Sequence, residues 1–237
     1  MDAAMYKALS GAIAQSRRLD VAAQDLANVN TSGYKGQRLA FSEVLANRLP
    51  TSERPGGLVA VGSQKTSLTQ GEIQTTGNPF HLAIEGEGFF VVRTARGERY
   101  TRNGSFTLKS DGTVVSTNGD PVLGENGPIQ ITGGKMEVAA DGSVRSGEGE
   151  VDKLKIVRLK DSRQAVKEGA NLFSTALTNV QLAPEATVMQ GGLEQSNVSP
   201  IDGMVALITI QRQFEAYQRA MGLMDDATQK MIAAGTN

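Results

Sequence analysis

The chain has 237 residues, 24 basic and 25 acidic side chains, a single histidine and no cysteine. Its length suits one large domain or two small ones. The near-neutral charge provides no basic footprint for nucleic acid, and the lack of cysteine excludes disulfides and thiol chemistry. No segment approaches the roughly 20 apolar residues of a membrane span. The sequence therefore predicts neither nucleic-acid binding nor membrane insertion.

An N-terminal helix is predicted by residues that recur at alternating steps of three and four. They form the N-terminal seam: Met5, Leu9, Ala12, Ser16, Leu19, Ala23 and Leu26. This spacing places them on one side of a helix that packs along another helix. Several are small, so a neighbouring backbone could approach closely. Charged Asp2 and Lys7 interrupt the stretch, which argues against a secretory signal.

The residues after this helix favour a turn followed by an extended linker. Asn, Ser and Gly are frequent in residues 27–36, as in a helix C-cap and loop, and Gly33 is a candidate for positive φ. We assign residues 37–80 to the linker. Within it, a proline- and glycine-rich stretch predicts an exposed loop at Pro50, Pro55, Gly56 and Gly57.

The middle of the chain predicts an all-β domain, which we assign to residues 81–180. Short apolar runs such as 89–92 alternate with Asn-Gly and Asp-Gly pairs, which supply the positive φ of tight hairpins. These pairs stand at residues 103–104, 111–112, 118–119 and 141–142. Frequent turns between short strands are typical of an all-β domain rather than of βαβ units.

A long C-terminal helix is predicted between Ser199-Pro200, a start signal, and Gly235, a stop signal. Its C-terminal seam has the same alternating spacing: Leu207, Ile210, Phe214, Tyr217, Met221, Met224, Thr228 and Met231. The predicted fold is therefore α+β, with paired N- and C-terminal coiled-coil-like helices (1–36 and, with a return linker, 181–237) and an inserted all-β domain. The alternative is that both helices belong to an ordinary globular core.

The residue patterns of common active sites are missing from the sequence. His81 has no second histidine or cysteine to complete a metal site, and no Gly-x-Ser-x-Gly elbow accompanies it. Glu85 and Glu87 stand two residues apart but between glycines, which favours a turn or bulge. No phosphate-binding or dinucleotide-binding glycine motif is found. We predict no catalytic residue, no metal and no cofactor.

Three groups of short motifs lie near both ends and the centre of the chain. They comprise residues 27–35 (ANVNTSGYK), 70–72, 76–79, 83–90, 100–106 (YTRNGSF) and 193–198 (LEQSNV). In this order they resemble the signatures of bacterial flagellar rod and hook proteins. The match departs at Phe80-His81, where that family usually has an apolar residue and Asp. The length and the sequence of 212–215 (RQFE) resemble proximal-rod members more than distal-rod members.

The resemblance implies a structural subunit of the periplasmic basal-body rod, exported by the flagellar type III apparatus without a cleaved signal. It implies that the terminal helices form an inner tube around the export channel and transmit torque, with the β domain outside. The implied partners are other rod subunits and copies of the chain itself. The expected subunit-interface residues are Met5, Leu9, Ala12, Leu19, Ala23, Leu26, Asn28, Gly33, Tyr34, Leu207, Ile210, Phe214, Tyr217, Met221 and Met224.

Three other readings remain open at this point. The chain could be a distal-rod or other axial flagellar subunit. It could also be a carbohydrate- or peptide-binding β module with oligomerising helices, although aromatic residues make up only 5% of the chain. A hydrolase is the third alternative, and it would have to rely on His81 or on the pair Glu85 and Glu87.

Overall fold

The computed structural model describes residues 3–44, 58–133, 135–147 and 149–235. These residues separate into two compact units. The terminal unit consists of the described residues within 1–27, 37–65 and 199–237, and the β unit consists of those within 28–36 and 66–198. Each unit therefore contains residues from both halves of the chain.

Two long helices dominate the terminal unit: α1 (Ala3–Ala27) and α2 (Pro200–Gly235). At the start of α2, Pro200 takes the first helical position and the Asp202 N–H donates to the Ser199 hydroxyl over 3.4 Å. The two helices pack against each other. Gly11 lies against Tyr217 and Leu26 lies against Gly203, so the helices run antiparallel. The predicted helices and their pairing are confirmed, whereas a regular coiled-coil geometry stays a prediction.

Seventeen strands connect the two helices in the described part of the chain. In order they are β1 (Gln37–Val44), β2 (Leu58–Thr66), β3 (Ile73–Thr75), β4 (Leu82–Glu85), β5 (Phe89–Thr94), β6 (Gly97–Thr101), β7 (Phe106–Leu108), β8 (Val114–Ser116), β9 (Glu137–Val138), β10 (Ser143–Ser146), β11 (Gly149–Lys153), β12 (Ile156–Leu159), β13 (Val166–Lys167), β14 (Leu172–Ser174), β15 (Val180–Leu182), β16 (Thr187–Gln190) and β17 (Gly192–Glu194). Short strands with frequent turns were the expectation for the middle of the chain, and this expectation is confirmed.

The segment predicted as an extended linker contains regular structure. Strands β1 and β2 form a two-stranded sheet in the terminal unit. The Gln37 N–H donates to both carboxylate oxygens of Asp25, over 3.2 and 3.1 Å, and so ties the start of β1 to α1. The loop predicted at Pro50, Pro55, Gly56 and Gly57 lies outside the described residues.

The β unit is organised around an antiparallel six-stranded sheet of order β13-β14-β6-β5-β12-β15. Strand β5 lies inside this sheet, and its residues 89–92 are buried on both faces because successive side chains point to opposite sides. On one face Phe90 packs edge-to-face against Phe106, and on the other Phe89 packs against Phe173. The continuous apolar run of β5 therefore reflects a strand covered on both faces.

Smaller sheets complete the β unit. They are the three-stranded sheet β11-β10-β9 and the pairs β16-β4, β17-β3 and β7-β8. The Asp-Gly pairs at 111–112 and 141–142 connect the hairpins β7-β8 and β9-β10, as predicted, and both glycines have positive φ. Asn103-Gly104 differs from its prediction: it joins β6 and β7, which lie in different sheets, and Gly104 does not have a positive φ.

Asp161 caps a short 3₁₀ helix (Ser162–Gln164) in the β unit. Hydrogen bonds from Arg163 lower the pKa of the Asp161 carboxyl from 3.8 to about 2. A carboxyl whose pKa is lower in the folded state stabilises that state above pH 3.8, and the stabilisation is lost as the pH falls towards 2. We expect Asp161→Asn to lower the urea midpoint at pH 5, with the gap to wild type closing by pH 2. A gap that stays constant across this range would contradict the assignment.

Candidate assembly surfaces and a buried ionic cluster

The C-terminal seam faces α1 along much of α2. Ile210 is 6% exposed, and the other members from Leu207 to Met224 are half-buried, whereas most residues between them are exposed. Thr228 is exposed, and the side chain of Met231 lies outside the described residues. The periodicity of the sequence therefore located this packing surface on α2.

The residues of α1 that are buried within one chain differ in part from the predicted N-terminal seam. Met5, Leu19 and Leu26 are half-buried and Ala12 is buried, but Leu9 is 45% exposed and Ala23 is exposed. Burial instead centres on small residues that include Ala8 and Gly11. The reason is steric: a Cβ built on Gly11 would lie 2.6 Å from Cε1 of Tyr217, so the aromatic ring occupies the space above the glycine.

An outward stripe of large apolar side chains remains uncovered on α2. It consists of Ile201, Met204, Val205 and Ile208, which are 54–73% exposed. Their spacing places them on one face, about 150° around the helix from the C-terminal seam at roughly 100° per residue. On α1, Leu9 and Ile13 are exposed one turn apart. Contiguous exposed apolar surface marks an interaction site.

A groove of about 600 Å³ runs between α1 and the β1-β2 pair in the terminal unit. Its lining residues are Ile13, Arg17, Asp20, Val21, Gln24, Leu39 and Gln64. Among the described residues that line the groove none is aromatic, so these side chains offer no stacking platform of the kind expected of a carbohydrate-binding module. The outward stripe, by contrast, follows an i, i+3, i+4, i+7 pattern that the sequence already contained and that sequence reasoning overlooked.

Gly33 and Tyr34 lie inside the β unit. The Gly33 N–H donates to the Glu194 carbonyl over 2.7 Å, with φ at +68° and the backbone of Asn103 against its Cα. Tyr34 is 2% exposed, and the Lys167 ammonium lies 3.5 Å from the centre of its ring. Both residues are buried by contacts within one chain, and their expected role as subunit contacts stays a prediction. Asn28 is half-buried, and its interface role stays a prediction.

A buried ion-pair network lies next to these residues. Glu194 accepts from Lys35 Nζ over 2.5 Å and from an Arg102 guanidinium nitrogen over 3.0 Å. The Glu194 side chain is fully buried, as is that of Lys35, and Arg102 is 4% exposed. The Gly71 N–H donates to the same carboxylate over 2.9 Å, and Lys35 also donates to the Thr69 carbonyl over 2.7 Å. One carboxylate thus forms ion pairs with two cations that come from distant parts of the chain.

Burial governs the electrostatics of both cations. It lowers the pKa of Lys35, and the hydrogen bond and the charge of Glu194 oppose this shift. Burial likewise lowers the pKa of Arg102, again opposed by Glu194. Arg102 also donates to the Gly86 carbonyl over 2.6 Å and lies over the Phe89 ring at 5.4 Å. The guanidinium is thus held by the carboxylate, a carbonyl and an aromatic face.

Asn197 completes what we call the signature cluster, namely Gly33, Tyr34, Lys35, Arg102, Glu194 and Asn197. Its side-chain oxygen accepts from the Gly36 N–H over 2.8 Å, and its amide nitrogen donates to the carbonyls of Ser67 and Thr69. The motifs at both ends and the centre of the sequence therefore meet in one place. Sequence reasoning missed this cluster because its partners are far apart in the chain, Lys35 and Glu194 by 159 residues, and a single sequence holds no signal for such pairs.

His81, Glu85 and Glu87 form no active-site constellation in the described part of the chain. His81 hydrogen-bonds with the Thr76 hydroxyl at 2.9 Å and the Asn78 side chain at 3.3 Å. Glu85 and Glu87 are exposed. Among the described residues no group of acidic, histidine or cysteine side chains could hold a metal ion, and no helix is long and apolar enough to cross a membrane.

Three family models match the chain. They are described as "Flagella basal body rod protein" (residues 5–35), "Flagellar hook protein FlgE/F/G D1 domain" (83–146) and "Flagellar basal body rod FlgEFG protein C-terminal" (189–234). The flagellar basal-body rod protein FlgF of Caulobacter vibrioides is 38% identical over 93% of both chains. FlgF of Salmonella typhimurium is 30% identical over 95% of both. FlgG of Bacillus subtilis is 28% identical over 96% of this chain and 97% of its own.

Proposed function

Because the chain belongs to the family of flagellar basal-body rod proteins, we propose that α1 and α2 polymerise into the inner tube of the rod. The chain is a structural subunit of the basal-body rod rather than an enzyme, and its partners are other rod subunits. In this proposal the β unit forms the outer layer, and the tube surrounds the export channel and transmits torque. The observation that carries the proposal is the outward stripe on α2.

The geometry of the exposed surfaces supports a helical lattice. The outward stripe on α2 and the exposed pair Leu9 and Ile13 on α1 are different surfaces of one chain. A contact between unlike surfaces is head-to-tail, and it generates an open filament when the rotation does not close into a ring. The same two surfaces can therefore repeat from copy to copy, or between rod proteins with similar helices.

The energetics favour contacts with several neighbours. Complete burial of a large aliphatic side chain contributes about 1.5–3 kcal/mol, so the half-exposed stripe offers on the order of 4–7 kcal/mol. Association costs an estimated 4–15 kcal/mol. One stripe contact is too weak for a stable dimer. A subunit that enters a lattice, however, gains several contacts while it loses its translational and rotational freedom only once. Such a subunit stays monomeric in dilute solution and polymerises on a growing rod.

The proximal part of the rod is the place we propose for this subunit. The sequences of the FlgF relatives, the chain length and residues 212–215 support it. We also propose that the flagellar type III apparatus exports the chain without a cleaved signal into the periplasmic part of the basal body. The neighbours in the lattice would be copies of the same chain and the adjoining rod proteins, including the distal-rod protein.

Ile208→Asp tests the proposal directly. Ile208 is 55% exposed in the single chain, so we expect circular dichroism and thermal unfolding to match wild type. In the lattice the new charge would lose its hydration without a partner, which costs several kcal/mol. We expect the variant to be missing from purified basal bodies and to leave a strain that lacks the wild-type gene non-motile.

Gln213→Asp is the matched control, because Gln213 is an exposed polar residue about 130° around α2 from the outward stripe. This variant should enter basal bodies at the wild-type level and restore swimming. Normal incorporation of Ile208→Asp would show that the outward stripe is not an assembly surface.

A further inference from the structure

We propose that the signature cluster acts as a clasp that brings the two chain ends together and thereby promotes the pairing of α1 with α2. It lies wholly in the β unit and holds the two segments that directly follow α1 and precede α2, residues 28–36 and 193–198. This role is separate from polymerisation, because it concerns a single chain. It gives a positioning function to Lys35, Arg102 and Glu194.

Glu194 is the group that closes the clasp. Lys35 comes from the N-terminal segment and Arg102 from the centre, and Arg102 electrostatically disfavours the Lys35 cation. Until Glu194 arrives, these two cations would be buried without their carboxylate, which is strongly unfavourable. The closed arrangement therefore requires the C-terminal segment to dock. The charge of Glu194 makes that docking selective for this one segment.

The backbone around Glu194 reinforces the closure. Strand β17, which ends at Glu194, pairs with β3, and the Gln195 N–H donates to the Glu72 carbonyl over 2.8 Å. A Cβ on Gly71 would lie 2.2 Å from the Gln195 carbonyl oxygen, so only glycine fits this close approach. The Gly33–Glu194 hydrogen bond then joins the N-terminal segment directly to the C-terminal one.

The clasp shortens the loop that helix pairing must close. Leu26 and Gly203 lie against each other in the helix pair, and the closed clasp connects them through about 16 residues of chain. If residues 193–198 open, the next link is the Thr75–Gly192 end of the pair β3-β17, and the connection lengthens to about 60 residues. Because loop closure scales as about the 3/2 power of length, the effective concentration of the helix ends falls about sevenfold.

The experiment uses the full-length chain at a concentration where it is monomeric. Since the sequence has no cysteine, Leu26→Cys and Gly203→Cys introduce a single disulfide pair. In a chain that also carries Ile210→Asp, which places a charge in the buried C-terminal seam and unpairs the helices, the rate of disulfide formation reports how often the helix ends meet. In this background Glu194→Gln should speed amide hydrogen exchange in residues 193–198 at least tenfold and slow disulfide formation about sevenfold. Glu185→Gln, which removes an exposed ion pair with Arg158, should change neither rate.

Unchanged disulfide formation in an opened clasp would overturn the proposal, and so would unchanged exchange in residues 193–198. If Glu194→Gln abolishes folding of the β unit, Asn197→Ala provides the test instead, since it removes the hydrogen bond from the Gly36 N–H and leaves the ion pairs of Glu194 intact. That variant should slow disulfide formation measurably, and a wild-type rate in it would also overturn the proposal. These measurements on monomers do not depend on whether the outward stripe assembles.

Discussion

Gly104→Ala is expected to unfold the β unit. A Cβ at this position would lie 1.6 Å from the carbonyl oxygen of Leu82, which no side-chain adjustment can relieve. The Leu82 N–H donates to the Gly104 carbonyl over 3.0 Å, and Leu82 is 1% exposed in the core. Separating the two backbones breaks this bond and displaces β4, so we expect a loss of at least about 4 kcal/mol, at the upper end for single substitutions.

Urea denaturation followed by circular dichroism measures this loss, with Gly149→Ala as the matched control. Gly149 lies in a strand, its φ is not positive, and a Cβ there meets no atom of the described residues within 4 Å. Alanine should therefore change stability by less than about 1 kcal/mol, because only backbone entropy is affected. If Gly104→Ala unfolds within 1 kcal/mol of wild type, the close approach to Leu82 has been misjudged.

Features that depend on neighbouring residues were predictable from the sequence. The alternating spacing of apolar residues identified both helices, and Asp-Gly pairs identified the hairpins at 111–112 and 141–142. Asn103-Gly104 has the same local appearance, but there glycine serves a tertiary approach to Leu82. Because backbone contact and turn geometry demand the same residue, the sequence alone could not separate them.

The packing of α1 and the signature cluster were not predictable for a different reason. The ring of Tyr217 determines that Gly11 rather than Leu9 is buried on α1. Such complementarity of size can be recognised only when the partner helix is in place. Likewise, Lys35 and Glu194 resemble ordinary charged loop residues, because opposite charges are common and their distance along the chain says nothing about pairing. Both features arise from tertiary contacts, which contribute more free energy than the local conformational preferences of the residues.

Ile210→Asp is expected to separate α1 from α2 while the β unit stays folded. Ile210 is 6% exposed at the centre of the C-terminal seam. Truncating a buried isoleucine costs about 2–5 kcal/mol, and the unpaired carboxylate adds the cost of its desolvation. Neither helix is expected to remain stable without this contact, since isolated helices depend on tertiary packing. Far-ultraviolet circular dichroism should therefore show a loss of helix but retention of strand signal.

Limited proteolysis then locates the unfolded part. We expect cleavage within α1 and α2 and a resistant core that comprises residues 28–36 and 66–198, because the signature cluster holds both of these segments in the β unit. Ile208→Asp provides the control on the same helix: the substitution is identical, but the site is exposed, so the helix signal should persist. The two variants thus separate helix pairing within one chain from contacts between chains. An Ile210→Asp protein with wild-type helicity and protease resistance would show that the buried seam does not hold the helices together.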